Sequence, residues 1–319
     1  MIQLQQTRTD MRKSIITIVT IVFALLITNK TEAQQDPNFT LYNFNMNIIN
    51  PAYTGSFEGL AVGALYRSQW VGLDGGPETF TFNTHSPVGK RVGLGLSVIA
   101  DQIGPVKETN AYVDFSYTIP VGTVTKLAFG VKGGFTFHDI GIAENQISLI
   151  DQGDPFFANA INETTPNVGA GVYFYKPNRY YISVSIPNIL NGVHLDANGT
   201  KIGSESEHFF AAAGYVFDLS ENFKLKPHAL VKYAFDSPVS YDINANVFMF
   251  DSVEVGVGYR LEDSFIGMIN FKVSDNIRVG YAYDAIQSDL DIVTNTSHEI
   301  FINFDLNFST KVSRSPRYF

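Results

Sequence analysis

Glu299-Ile300-Phe301-Ile302-Asn303-Phe304-Asp305-Leu306-Asn307-Phe308 is the stretch on which the fold turns. Successive side chains on a β-strand point to opposite faces, so residues two apart share a side. Ile300, Ile302, Phe304, Leu306 and Phe308 therefore line one face, and Phe301, Asn303, Asp305 and Asn307 line the other. A soluble sandwich buries the first set against a second sheet. A membrane barrel turns it toward lipid and the polar set toward a lumen.

The same period recurs along the chain. Val113, Phe115, Tyr117 and Ile119 alternate with Tyr112, Asp114, Ser116 and Thr118. Phe129, Val131, Phe135 and Phe137 alternate with Gly130, Lys132, Gly134 and Thr136. Val253, Val255, Val257 and Tyr259 alternate with Glu254, Gly256, Gly258 and Arg260. Charges of both signs on the non-apolar face suit a wet lumen better than a dry core. Strands are predicted near 60–69, 78–85, 92–101, 108–119, 125–138, 165–175, 180–187, 206–217, 223–234, 241–249, 253–260, 264–273, 276–284 and 297–308. That is fourteen strands, and bacterial single-chain barrels have an even number. The fold class is all-β, a transmembrane antiparallel up-and-down barrel of the outer membrane.

Connection lengths test this independently, because such barrels alternate short periplasmic turns with longer external loops. The even-numbered connections are all short, near Pro87–Arg91, Pro120–Val124, Lys176–Arg179, Asp218–Asn222, Phe250–Ser252 and Ser274–Asp275. The long ones, Asp139–Thr164, Asn188–Glu205 and Ala285–Thr296, are all odd-numbered. Two odd connections, Asp236–Ser240 and Leu261–Asp263, are short as well. A sandwich has no reason to sort loops by parity, and this sorting puts both termini in the periplasm.

Composition agrees. Charged residues make up 17% of the chain and mean hydropathy is only +0.02, below a soluble domain in charge and far below a helical membrane protein in hydropathy. A net charge of −9 argues against nucleic acid as a partner. With no cysteine, thiolate catalysis and thiolate metal sites are excluded. Arg12 and Lys13 precede an apolar run, Ile15 to Ile27, too short to span a bilayer but suited to a signal peptide cut after Ala33. Met1 and Met11 are both available as the start. The expected division is a signal peptide over 1–33, a periplasmic or lumenal segment over 34–59, the barrel over 60–308 and a periplasmic tail over 309–319.

No catalytic constellation emerges, and the chain reads as a non-enzyme. His85, His138, His194, His208, His228 and His298 are scattered without metal-ligand spacing, so neither metal nor cofactor is expected. Asp151 and Asp154 read as a solvated acidic loop. The glycine pairs Gly93/Gly95 and Gly256/Gly258 open no helix and read as lumen-side strand glycines. The segment Asp36 to Gly55 is aromatic yet weakly alternating, so it is expected to pack on something. A barrel of about 14 strands is wider than side chains alone can fill, which leaves room for the segment to line or plug the lumen, a periplasmic position being the alternative.

At these residues a family resemblance appears. Asp36-Pro37-x-Phe39-Thr40-x-Tyr42, then Asn50-Pro51-Ala52-Tyr53-x-Gly55, resembles the amino-terminal signature of the PorP/SprF family. Tyr66-Arg67-x-Gln69-Trp70-x-Gly72, followed by Gly76-Pro77-x-Thr79, is similar to its next block. Thr54 and Leu41 depart from the Ala and Gln common there. The resemblance implies an outer-membrane component of the type IX secretion system of Bacteroidota, linked in some members to gliding motility. It implies as partners a secreted adhesin-like cargo with a carboxy-terminal sorting domain, the periplasmic and outer-membrane secretion machinery, and outer-membrane lipid. Candidate partner-binding residues are Asp36, Pro37, Phe39, Tyr42, Asn50, Pro51, Tyr53, Arg67, Gln69 and Trp70. The competing reading is a passive or substrate-specific porin, with Lys132, Glu254, Arg260, Arg278 and Asp305 setting selectivity.

Overall fold

The computed structural model describes residues 37–140, 161–190, 196–197, 200–201, 207–235, 237–287 and 294–307. The chain forms β1 (Gly59–Ser68), β2 (Glu78–Val88), β3 (Val92–Ile103), β4 (Val106–Pro120), β5 (Lys126–Ile140), β6 (Ile161–Lys176) and β7 (Tyr180–Ile186). It continues with β8 (His208–Tyr215), β9 (Phe223–Ala234), β10 (Ser240–Met249), β11 (Val253–Arg260), β12 (Ser264–Lys272), β13 (Ile277–Ile286) and β14 (Thr296–Asn307). The pair Phe217–Asp218 prolongs β8 past Val216, and a two-residue ladder joins Asp196–Ala197 to Thr200–Lys201. Each strand pairs antiparallel with its sequence neighbours, and β1 closes on β14 from Gly59↔Asn307 to Ser68↔His298. Closure leaves no open sheet edge to lipid, where an unpaired backbone group has no water to bond.

All fourteen expected strands are present, and several are longer than alternation implied. β4 starts at Val106 after a two-residue turn with Gly104 at φ +55°, and β6 starts at Ile161. The ladder holds where apolar alternation has already lapsed, as in the pairs Asp139↔Asn162 and His138↔Glu163. Residues 141–160, including Asp151 and Asp154, lie outside the described residues, as does His194.

Burial follows the inverted pattern of a membrane barrel. Val257 is 67% exposed and Ile300 55%, whereas Asp114 and Glu299 are fully enclosed. Aromatic side chains near strand ends divide between the two faces. Tyr66, Tyr233, Tyr259 and Tyr283 face outward, but Tyr175 and Tyr181 are buried in the lumen beside Tyr173. A position near strand ends would suit the bilayer interface, but their phase, set by period two, points them inward.

The six connections at one end, Gly89–Arg91, Val121–Thr125, Pro177–Arg179, Leu219–Asn222, Phe250–Ser252 and Val273–Asn276, are all of three to five residues. The other end carries every longer loop. Val257 lies mid-strand on the outer face, so Val257→Arg should destabilise the barrel by about 2–4 kcal/mol. Urea titration of the protein folded into lipid vesicles, read against wild type, checks this value.

Candidate functional site: a plug in the barrel lumen

The first described residues do not stay outside the barrel. They form a 3-10 turn at Tyr42–Phe44, one α-helical turn at Met46–Ile49 and a second 3-10 turn at Pro51–Tyr53. Local chemistry sets these breaks. Proline disfavours helix at the residue before it, and Asn50 is accordingly extended, at φ −139° and ψ 110°. Its side-chain oxygen accepts the Ala52 N–H at 2.9 Å and caps the next turn. Gly55 then turns the chain at φ +72°.

The segment runs the length of the lumen. Thr40 and Leu41 lie at the long-loop end, bonded to Glu299 near the start of β14 and to Asp284 near the end of β13. Gly55 lies at the short-turn end, against Gly93 and Pro87 beside the β2–β3 turn. Phe39, Leu41, Tyr42, Met46, Ile48, Ile49, Ala52 and Tyr53 join lumen-facing wall residues such as Leu65, Tyr173, Phe210, Leu230, Met268 and Phe301 in one apolar cluster.

Two kinds of contact hold the plug. The first is a charged latch at the long-loop end. Arg67 bridges Asp284 and Glu299, each at 2.8 Å, and Arg260 bonds Asp242 at 2.8 Å and approaches Asp284 at 3.4 Å. Thr40 completes it: its hydroxyl donates to Asp284 at 2.8 Å and accepts from Arg67 at 3.0 Å. Glu299 also takes the Thr40 and Leu41 backbone N–H groups, at 2.9 and 2.7 Å. Buried carboxylates persist only when paired and hydrogen-bonded, and the plug backbone provides donors that the strands do not.

The second contact is a glycine cradle nearer the short turns. A Cβ on Gly130 would lie 2.1 Å from the Ala52 nitrogen, and one on Gly171 would lie 2.1 Å from the Asn50 Oδ1. One on Gly93 would meet the Thr54 carbonyl oxygen at 2.2 Å. Glycine lets the wall approach the plug backbone this closely. Asn50 donates to Ser183 Oγ at 2.7 Å, Ser116 Oγ donates to the Thr54 carbonyl at 2.5 Å, and Lys132 Nζ donates to the Ile48 carbonyl at 2.8 Å. Between latch and cradle, Phe44 stacks on Phe301 at 4.5 Å. This accounts for the one aromatic residue on the polar face of β14.

Of the expected partner-binding residues, Phe39, Tyr42, Asn50, Pro51, Tyr53 and Arg67 are buried in plug–wall contacts. Pro37 is half-buried beside Phe39, and Asp36 lies outside the described residues. Gln69 and Trp70 are also half-buried but sit at the long-loop rim, where Trp70 N–H donates to Ser297 Oγ at 3.2 Å. Gly72 there adopts φ +100°, a region that side chains rarely enter. Sequence reasoning had not singled out Asp242, Asp284, Glu299 or the role of Gly130 and Gly171. Of the charges assigned to pore selectivity, Arg260 belongs to the latch, Lys132 binds the plug, and Glu254 pairs with Lys226 at 2.7 Å.

Fold and lumen together define an outer-membrane β-barrel carrying an internal plug. The chain belongs to the PorP/SprF family of type IX secretion system membrane proteins, whose model matches residues 31–304. No curated protein sequence matches it. Among solved structures it is similar to the monoaromatic hydrocarbon channel CymD, at 13% identity and TM-score 0.50, covering 82% of this chain and 93% of that one. It is also similar to the P. putida toluene transporter TodX, at 8% identity and TM-score 0.50, covering 84% and 95%. The Acinetobacter baumannii outer membrane protein Omp33 matches at 11% identity and TM-score 0.46, over 79% and 100%. At such identities the likeness to CymD and TodX shows the fold alone. Family and fold are those of a secretion or transport barrel, not of an enzyme.

Replacing Arg67 by alanine strands Asp284 and Glu299 without their shared cation. Removing one partner of a buried ion pair costs about 3–5 kcal/mol, so Arg67→Ala should lower the urea midpoint by that equivalent. Gly171→Val should displace Asn50 and destabilise comparably, whereas Gly133→Val, at a glycine with no atom within 4 Å of the added Cβ, should not.

Proposed function

We infer that this protein serves the type IX secretion system as an occluded outer-membrane anchor. It holds an adhesin-like secreted cargo at the cell surface through the cargo's carboxy-terminal sorting domain, and in a gliding cell it contributes to motility. The short-turn end faces the periplasm and the machinery there; the long-loop end, with Gln69 and Trp70 at its rim, faces outward and meets the cargo. The observation that carries this reading is the filled lumen. A segment bonded to β2, β4, β5, β7, β9, β13 and β14 leaves a pore-based role without a pore.

The alternative is a passive or substrate-specific porin, and two measurements separate them. Affinity purification from native outer membranes should recover a large secreted protein ending in a sorting domain. In planar bilayers the wild type should conduct negligibly, and removing residues 37–55 should open the lumen to ions. A partnerless barrel with open conductance in the wild type would establish the porin instead. The absence of cysteine permits a clean test of orientation. Asp74→Cys should react with a membrane-impermeant maleimide on intact cells, and Ser220→Cys only after the outer membrane is opened.

A further inference from the structure

At the short-turn end the rim divides into two unlike halves. The turns Gly89–Arg91, Val121–Thr125 and Pro177–Arg179, with the strand ends beside them, carry Lys90, Arg91, Lys126, Lys176 and Arg179 and no Asp or Glu. The other three turns mix signs and pair them. Lys224 meets Asp251 at 3.9 Å, Lys272 meets Asp275 at 2.9 Å, and Asp218 takes Arg179 from across the divide. Among the described residues Lys90, Arg91, Lys126 and Lys176 have no carboxylate partner. Lys126 is directed to the lumen side, over the buried Tyr175 ring at 5.9 Å. Arg91 and Lys176 lie on the outer circumference, and Lys90 is exposed in the turn beside Arg91.

The neighbours of these cations place them at the edge of the bilayer. Arg91 donates to the hydroxyl of the outward-facing Tyr117 at 3.2 Å. Lys176 lies opposite Tyr180 in the β6–β7 ladder, and Arg179 sits 5.4 Å over the Tyr215 ring. Tyr180 and Tyr215 stack at 6.3 Å, and Phe217 beside them is 47% exposed. Outward aromatic side chains of this kind mark the headgroup level. Val88, Val121 and Val124 on the same turns are exposed at 53%, 51% and 49%, a cost in water that lipid contact removes.

We propose that Lys90, Arg91 and Lys176, with Arg179 beside them, form a binding belt for the phosphates of anionic phospholipid headgroups along the β2–β7 half of the short-turn rim. The chemistry matches, because guanidinium and ammonium groups are the usual phosphate donors. The placement favours lipid over an acidic protein, since Arg91, Lys176 and Arg179 lie beside tyrosines of the outer wall and not beneath the lumen. Among the described residues the paired half of the rim has no spare cation to offer, so the lipid contact there is one-sided.

The test uses the full-length protein in mild detergent, equilibrated with mixed phosphatidylglycerol and phosphatidylcholine vesicles, and counts retained lipid by native mass spectrometry. Wild type should retain phosphatidylglycerol over phosphatidylcholine. The triple variant Lys90→Gln, Arg91→Gln, Lys176→Gln should lose at least about tenfold of that preference, since each surface cation adds to the attraction toward an anionic leaflet. The control Lys224→Gln, Lys272→Gln, on the paired half, should keep it. Equal retention in the triple variant overturns the proposal, as does equal loss in the control. A triple variant that keeps its lipid but loses a periplasmic protein also overturns it, in favour of protein docking. Should the triple variant fail to fold, a salt titration of the wild type decides: retention falling with salt supports the belt, and salt-insensitive retention refutes it.

Discussion

Arg67 is enclosed on every side by protein, and its guanidinium bridges Asp284 and Glu299. A buried charge with no partner is among the most expensive features a fold can carry. Much of the long-loop half of the structure follows from keeping this group satisfied. Three strands, β1, β13 and β14, must stay in register to bring the ions together. The plug must then present Thr40 and Leu41, because the two carboxylates accept more hydrogen bonds than one guanidinium supplies. The latch therefore couples the seam where the barrel closes to the segment that fills it.

A barrel of this width poses a problem that the plug resolves. Lipid takes the apolar face of each strand and leaves a polar lumen too wide for the wall's own side chains to fill. Water could occupy it, and the result would be a pore. Here the chain's own amino-terminal segment does so, apolar on its inner packing surface and hydrogen-bonding at its backbone and asparagines. Asn45 spans Thr81 and Asn83, Asn47 reaches Asp114, and Tyr181 donates to Asn43. These polar pairs between wall and plug accompany the shared apolar cluster, and together they close the lumen.

Alternation located every strand because lipid and lumen impose opposite demands on neighbouring residues, and β14 states those demands most openly. It erred where that contrast weakens. The upper parts of β5 and β6 extend into Asp139 and Asn162, beyond the apolar band, and the ladder persists there through backbone bonds that carry no side-chain signal. Tyr175 and Tyr181 look like interface residues by position and are lumenal by phase. Gly93, Gly130 and Gly171 read only as small lumen-side residues, since nothing local says that a distant turn lies against them.

What the sequence determined by itself was the set of strands, the face of each that meets lipid, the sorting of short and long connections, and the family to which the Asn50–Gly55 and Tyr66–Pro77 blocks point. These are local or periodic properties, written in the order of neighbouring residues. Only the tertiary structure decided that the first segment threads the lumen from the long-loop end to the short-turn end, that Thr40 meets Glu299, and that Phe301 stacks on Phe44. Such contacts join residues more than two hundred positions apart. They arise when the sheet closes and encloses a space, and no linear pattern records what will fill it.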